Sequence, residues 1–204
     1  MKPKIEFYFD FGSPNAYLSY KRIPDIEQRL GAEFEMKPVL LGGIFKATNN
    51  QSPFAAFANI PKKMAYERLE MMRFIKRHSM TQFQLNPFFP INTLMLMRGA
   101  ILAQQTGIYE RYIEMVFAAM WEKGLNMGEP TVFAEQLQSI GIDAEAFIAK
   151  LADSSVKQPL IDATEAAVER GVFGIPSFFV GDELFFGKDR LDDVEREFLR
   201  ATGA

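Results

Sequence analysis

Two short segments of this chain hold the residue types that can do chemistry. The first is Phe9-Asp10-Phe11-Gly12-Ser13-Pro14, where an alternating apolar stretch stops, turns at Gly12 and gives way to a helical pattern. Serine suits a helix N-cap and proline the first helical position, so the run reads as a helix opening. A helix start carries roughly half a positive charge and several unpaired N–H groups, which favours an anion beside it. A thiol placed there ionises more readily, and the Ser13 hydroxyl can donate to the resulting thiolate. The same two residues also read as a helix cap and nothing more. The second segment is Gly171 to Arg190, which reads as a helix end, an Ile175-Pro176 step and a hairpin. Its place before a short hairpin favours a cis bond at Pro176. The backbone N–H and C=O of Ile175 then face outward and can pair with an extended, peptide-like ligand as an added strand does.

Further candidates flank these two. Asn50 in Asn-Gln-Ser-Pro and Lys63 in Ile-Pro-Lys-Lys are suited to holding an amide and a carboxylate; they read equally as a turn residue and a solvated helix lysine. Lys188 and Asp189 open the last helical pattern, where Asp189 is either a cap or an acceptor for a ligand ammonium. His78 is the single histidine and has no acid or nucleophile at a telling spacing, so it reads as a surface or structural residue. Trp121 reads as core or interface. Glu67, Arg68, Glu70 and Arg73 alternate in sign along one helix, the mark of a solvated face. No phosphate-binding glycine loop, dinucleotide fingerprint or paired-histidine metal motif occurs.

The elements that must position these residues follow from periodicity. Ile5, Phe7 and Phe9 alternate with Glu6, Tyr8 and Asp10, which predicts a strand. Tyr17, Tyr20, Ile23, Ile26 and Leu30 space as a helix kinked at Pro24, and residues 32–39 read as a second strand. This β-α-β unit predicts parallel strands joined by a right-handed crossover. Residues 41–54 read as a loop rich in Gly, Asn and Ser. About a hundred helical residues follow, with starts at Pro61, Pro130 and Asp143, helices marked by Leu69, Met72 and Ile75, by Leu94, Met97 and Ile101, and by Tyr109, Ile113, Val116 and Met120, and a longer helix ending at Gly171. Strand pattern returns at Ser177 to Val180 and Glu183 to Phe186 around Gly181-Asp182, and Leu191, Val194, Phe198 and Leu199 face inward on a closing helix. The order β-α-β, helical block, β-β-α is an α/β chain of thioredoxin-like fold with a large all-helical insertion. The thioredoxin-like lobe spans about residues 1–55 and 155–204, and the insertion about 56–154.

In that fold, a strand-to-helix turn facing an X-Pro step is the reactive corner. Here the corner holds Ser13, and the chain of 204 residues contains no cysteine. Disulfide exchange, thiolate catalysis and zinc–thiolate sites built from the protein itself are therefore excluded. A corner that ordinarily holds a thiol, in a chain without one, suggests that the sulfur comes from outside. A net charge of −3 with no basic stripe weighs against nucleic-acid binding. No apolar run approaches the roughly 18 residues of a membrane span, and the N-terminus enters a strand pattern without a leader, so a cytoplasmic location is expected. The 20 Phe and 11 Met supply a greasy, adaptable core and suit an apolar cleft equally.

Taken together, these residues resemble the 2-hydroxychromene-2-carboxylate isomerases, allied to the kappa-class glutathione transferases in the DsbA-like branch of the thioredoxin superfamily. The resemblance runs over nearly the whole chain: FDFGSPNAYL, NPFFPINTLMLMRGA, VFAAMWEKGLNMGEP and VFGIPSFFVGDELFFGKDRL fall in the family's order. It implies a glutathione enzyme with no metal, in which Ser13 matches the catalytic serine, Asn50 and Lys63 match glutathione contacts, Ile175 and Pro176 match the backbone that holds the cysteinyl unit, and Lys188 with Asp189 matches the grip on the γ-glutamyl end. The implied reaction is reversible addition of the glutathione thiolate to a ring-opened substrate, which lets a double bond rotate and interconverts 2-hydroxychromene-2-carboxylate and trans-o-hydroxybenzylidenepyruvate. A kappa-like transferase and a non-catalytic glutathione-binding protein are the alternatives. The implied partners are glutathione, a small aromatic carboxylate and a second copy in a homodimer.

Overall fold

Alternating burial builds the central strand: Ile5, Phe7 and Phe9 of β1 (Ile5–Phe9) are fully buried in the computed structural model, which describes residues 4–203. β1 pairs in parallel with β2 (Phe34–Pro38) and antiparallel with β3 (Ser177–Val180). β3 turns at Gly181 into antiparallel β4 (Glu183–Phe186), giving the sheet order β2-β1-β3-β4. Parallel neighbours need a crossover, supplied here by α1 (Pro14–Tyr20) and α2 (Ile23–Leu30). The expected single helix kinked at Pro24 is two helices. Pro24 lies in the first turn of α2, where a missing N–H costs nothing, and the break falls at Lys21-Arg22.

The expected loop at 41–54 is largely helical: α3 (Leu41–Thr48) and α4 (Pro53–Ala56) occupy it. Then come α5 (Pro61–Arg77), α6 (Leu94–Thr106), α7 (Tyr109–Trp121), α8 (Pro130–Ser139), α9 (Ala144–Lys150) and α10 (Ser154–Glu169). A 3₁₀ turn (Lys188–Arg190) leads into α11 (Leu191–Thr202), on which Leu191, Val194 and Phe198 are buried while Leu199 is half-buried. On α5 the packed face differs from the expected one. Phe74 is buried and Met71 and Ile75 are half-buried, whereas Leu69 and Met72 are exposed.

Aromatic packing joins sheet and helices. Phe11, just past β1, stacks edge-on against Phe117 of α7 (centroids 4.9 Å apart), and the Trp121 indole N–H donates to the Phe11 carbonyl at 2.8 Å. Tyr112, fully buried on α7, donates its hydroxyl to the Leu96 carbonyl of α6 at 2.8 Å. That bond requires a glycine at position 99, because a Cβ there would lie 2.0 Å from the Tyr112 hydroxyl oxygen. Gly99→Ala is expected to lower stability by about 1–3 kcal/mol through overpacking. Urea unfolding measures it, and an unchanged midpoint would show that Tyr112 yields without loss.

Candidate active site

Ser13 is 5 % exposed and caps α1: its Oγ accepts from the Ala16 N–H at 3.2 Å, and its carbonyl accepts from the Ala16 and Tyr17 N–H groups. The hydroxyl proton goes to the Ile175 carbonyl at 3.2 Å, across 162 residues of sequence. The Ile175-Pro176 bond is cis. The structure thus brings Ser13, Ile175 and Pro176 together at the start of α1, with a bond longer than the roughly 2.7–2.8 Å usual for O–H···O.

Two polar atoms at this corner have no protein partner among the described residues. The Ile175 N–H donates to no acceptor. Asn15 Oδ1, two residues after Ser13, is buried without a hydrogen bond. An unpaired backbone N–H beside a helix start fits a ligand that carries its own amide carbonyl. Sequence reasoning passed over Asn15, and its signal is only its place in the first turn of α1.

Asn50 reaches the same loop from the other side. Its side-chain N–H donates to the Phe173 carbonyl at 2.8 Å, while its own Oδ1 accepts from the Gln51 N–H. Lys188 is buried, with its ammonium 2.6 and 2.7 Å from the two oxygens of the exposed Asp189 carboxylate and 5.0 Å from the Phe74 ring. Asp189 therefore does not cap α11, whose N-cap Arg190 makes no side-chain cap bond. Lys63 stands on the first turn of α5, paired with Glu67 and set between the Phe57 and Tyr66 rings. No hydrogen bond or ion pair among the described residues joins Lys63 to Ser13, Asn50 or Ile175. His78 ends α5 against Phe74, and burial lowers its pKa.

Asp10 is the residue that the strand pattern misplaced. Alternation puts it with Glu6 and Tyr8, yet it lies past β1 and is 1 % exposed. Its Oδ1 accepts from the Gly12 N–H and its Oδ2 from the Leu41 N–H, both at 2.8 Å, with the Thr93 side chain packed beside the turn. Leu41 is the first residue of α3, whose own N-cap, Leu40, has no side-chain cap. Asp10 thus caps α3 from a distance and folds the Ser13 turn in the same stroke. Burial pushes its carboxyl pKa up, against the lowering pull of Gly12, Leu41 and Thr93. A closed ring results: Asp10 holds α3, Asn50 beyond α3 holds Phe173, and Ile175 holds Ser13.

This corner and sheet define a thioredoxin-type protein. A family model for the DSBA-like thioredoxin domain matches residues 4–198, and the chain belongs to that family. Its similarities within the family run to isomerases and glutathione transferases. It is 28% identical over 193 residues to a 2-hydroxychromene-2-carboxylate isomerase of Pseudomonas putida, covering 94% of this chain and 92% of that one. It is 25% identical to human glutathione S-transferase kappa 1, covering 92% and 87%. A solved structure of 2-hydroxychromene-2-carboxylate isomerase superposes with a TM-score of 0.82 at 27% identity, over 97% and 95% of the two chains.

Proposed function

We propose that this chain is a glutathione-dependent isomerase of 2-hydroxychromene-2-carboxylate or a related aromatic keto acid. The observation that carries the reading is the unpaired Ile175 N–H on the loop whose carbonyl takes the Ser13 hydroxyl, at a helix start in a chain without cysteine. Relatives bearing the isomerase name over nearly the full length support it.

Glutathione, when bound, supplies a thiolate that adds reversibly to a conjugated carbon and leaves again, which frees a double bond to rotate. The chain's own residues do the rest. The Ile175 N–H and C=O hold the tripeptide backbone in antiparallel pairing. The start of α1 stabilises negative charge at the sulfur position, and the Ser13 hydroxyl turns from the Ile175 carbonyl to donate there. Asn50 braces the loop that presents Ile175, and Asp189 offers its exposed carboxylate to an ammonium while Lys188 fixes its position. Lys63 meets a carboxylate by exchanging Glu67 for it. The same reading carries a cytoplasmic homodimer, for which light scattering is the test. Among the described residues no helix is long and apolar enough to cross a membrane.

Dialysed protein assayed with and without glutathione tests the proposal. Turnover of the chromene substrate is expected only with glutathione present, and with its thiol fully recovered at the end. Accumulation of a stable thioether conjugate instead assigns the kappa-like transferase outcome. Calorimetric binding of glutathione without turnover of either substrate class assigns a binding protein. Turnover that is independent of glutathione overturns the reading.

A further inference from the structure

A second concavity lies between α3, α6 and α10. Its volume is about 400 Å³, within the range of small-molecule sites, and none of the residues assigned above lines it. The walls are apolar: Leu40, Leu94, Leu160 and Val168 line it, and Ile161 stands 46 % exposed at its side. The floor is close-packed at Gly43, where a Cβ would come within 3.1 Å of Thr164 Cγ2.

Three cations converge on this trough from three different helices: Lys46 of α3, Arg98 of α6 and Lys157 of α10. None makes an ion pair or a side-chain hydrogen bond among the described residues; other surface cations such as Arg111 and Lys150 are also unpaired, and what sets these three apart is that they line one apolar trough. Arg98 is the telling one. It is half-buried on a helix whose neighbouring residues Met97, Gly99 and Ala100 are buried, and its guanidinium has no acceptor. Five N–H donors in a fixed fork, without a protein partner and open to the trough, are free to take an incoming oxyanion. A single carboxylate, Glu165, opposes the three cations, so the trough keeps a net positive lining.

We propose that this groove is a second binding site, for a small carboxylate with a flat apolar body. Arg98 takes the carboxylate, Lys46 and Lys157 add their field, and Leu94, Leu160 and Ile161 cover the apolar part. Ring and carboxylate are both required: a phosphate alone leaves the walls unused, and a neutral hydrocarbon leaves Arg98 unpaired. The site stands independently of any chemistry at Ser13. It shares α3 with the serine turn, since Asp10 caps the end of α3 that borders the groove.

Calorimetric titration of the full chain with 2-naphthoate, without glutathione, tests the proposal, with 2-naphthalenemethanol as the neutral probe. Saturable binding of one naphthoate per chain is expected, at least tenfold weaker for the alcohol and at least tenfold weaker in Arg98→Gln. Ile161→Glu, at an exposed position that folding tolerates, is expected to abolish it, and Ser13→Ala to leave it unchanged. Absence of saturable binding overturns the site. So does binding lost in Ser13→Ala and kept in Arg98→Gln, which places the ligand at the serine corner instead. If light scattering shows Ile161→Glu splitting a dimer, the groove is an interface between copies and the small-molecule proposal falls.

Discussion

Asp10→Ala is expected to cost about 2–6 kcal/mol of folding stability, taking about 1–3 kcal/mol for each of two backbone donors left without an acceptor. The carboxylate, 1 % exposed, serves the half-buried Gly12 and Leu41 N–H groups, each of which loses its acceptor in the alanine variant. Asp10→Asn keeps the shape but points an amide N–H at one of the donors, so a large share of the loss is expected to remain. Urea unfolding of both variants measures it. A cost under about 1 kcal/mol for Asp10→Ala would mean that the turn and α3 hold themselves, since the ring of contacts predicts several times an ordinary surface change.

The same residue predicts a pH dependence with a definite sign. Burial raises the folded pKa above the value of about 3.9 for an unfolded aspartate, so the native chain keeps this proton to higher pH than the unfolded chain does. That contribution to stability is complete below the unfolded pKa and is lost as pH rises through the raised folded value. Asp10→Asn has no such proton. The stability difference between wild type and Asp10→Asn is therefore expected to shrink as pH climbs across that interval. A difference that grows with pH would show that the fold holds the anion rather than the acid, through the N-terminal dipoles of α1 and α3.

What the sequence disclosed divides along locality. The Ser13 cap, the hairpin at Gly181-Asp182 and the cis step at Pro176 were legible because each is written in a few adjacent residues. The helix α3 was not, for a physical reason. It opens Leu41-Gly42-Gly43, has no capping side chain of its own, and takes its cap from Asp10 across 31 residues. A helix capped from outside has no local start signal, and its two glycines each disfavour the helix by about 1 kcal/mol. Asp10 did leave a trace. Asp-Phe-Gly at a strand end is the spacing of an Asx turn, and the Gly12 N–H bond realises it. At the candidate site, the residue types at positions 13, 50, 175 and 188 were readable, but their current partners were not. That Lys188 spends itself on Asp189, and Lys63 on Glu67, follows from burial and helix rotation. The groove under Arg98 was invisible for a similar reason, being assembled from three helices far apart in sequence.

Ser13 has two jobs, and substitution separates them. As a cap, its loss to alanine costs about 1 kcal/mol, while its loss to glycine costs only a few tenths. As a donor to sulfur, its loss is the same in both variants, because neither carries a hydroxyl. Hydrogen bonds to charged groups contribute about 1.5–3 kcal/mol, and each 1.4 kcal/mol is about tenfold in rate, so isomerase turnover is expected to fall tenfold or more in Ser13→Ala and Ser13→Gly alike. The pKa of the bound glutathione thiol, followed by its ultraviolet absorbance, is expected to rise by about one to two units in both, at about 1.36 kcal/mol per unit. The 3.2 Å bond to the Ile175 carbonyl is what the hydroxyl gives up to reach the sulfur, and its length is consistent with a proton that is easily redirected. If Ser13→Gly instead keeps wild-type turnover and thiol pKa while Ser13→Ala loses only stability, the serine is a cap alone. The thiolate is then held by the α1 dipole and the orphaned Ile175 N–H without it.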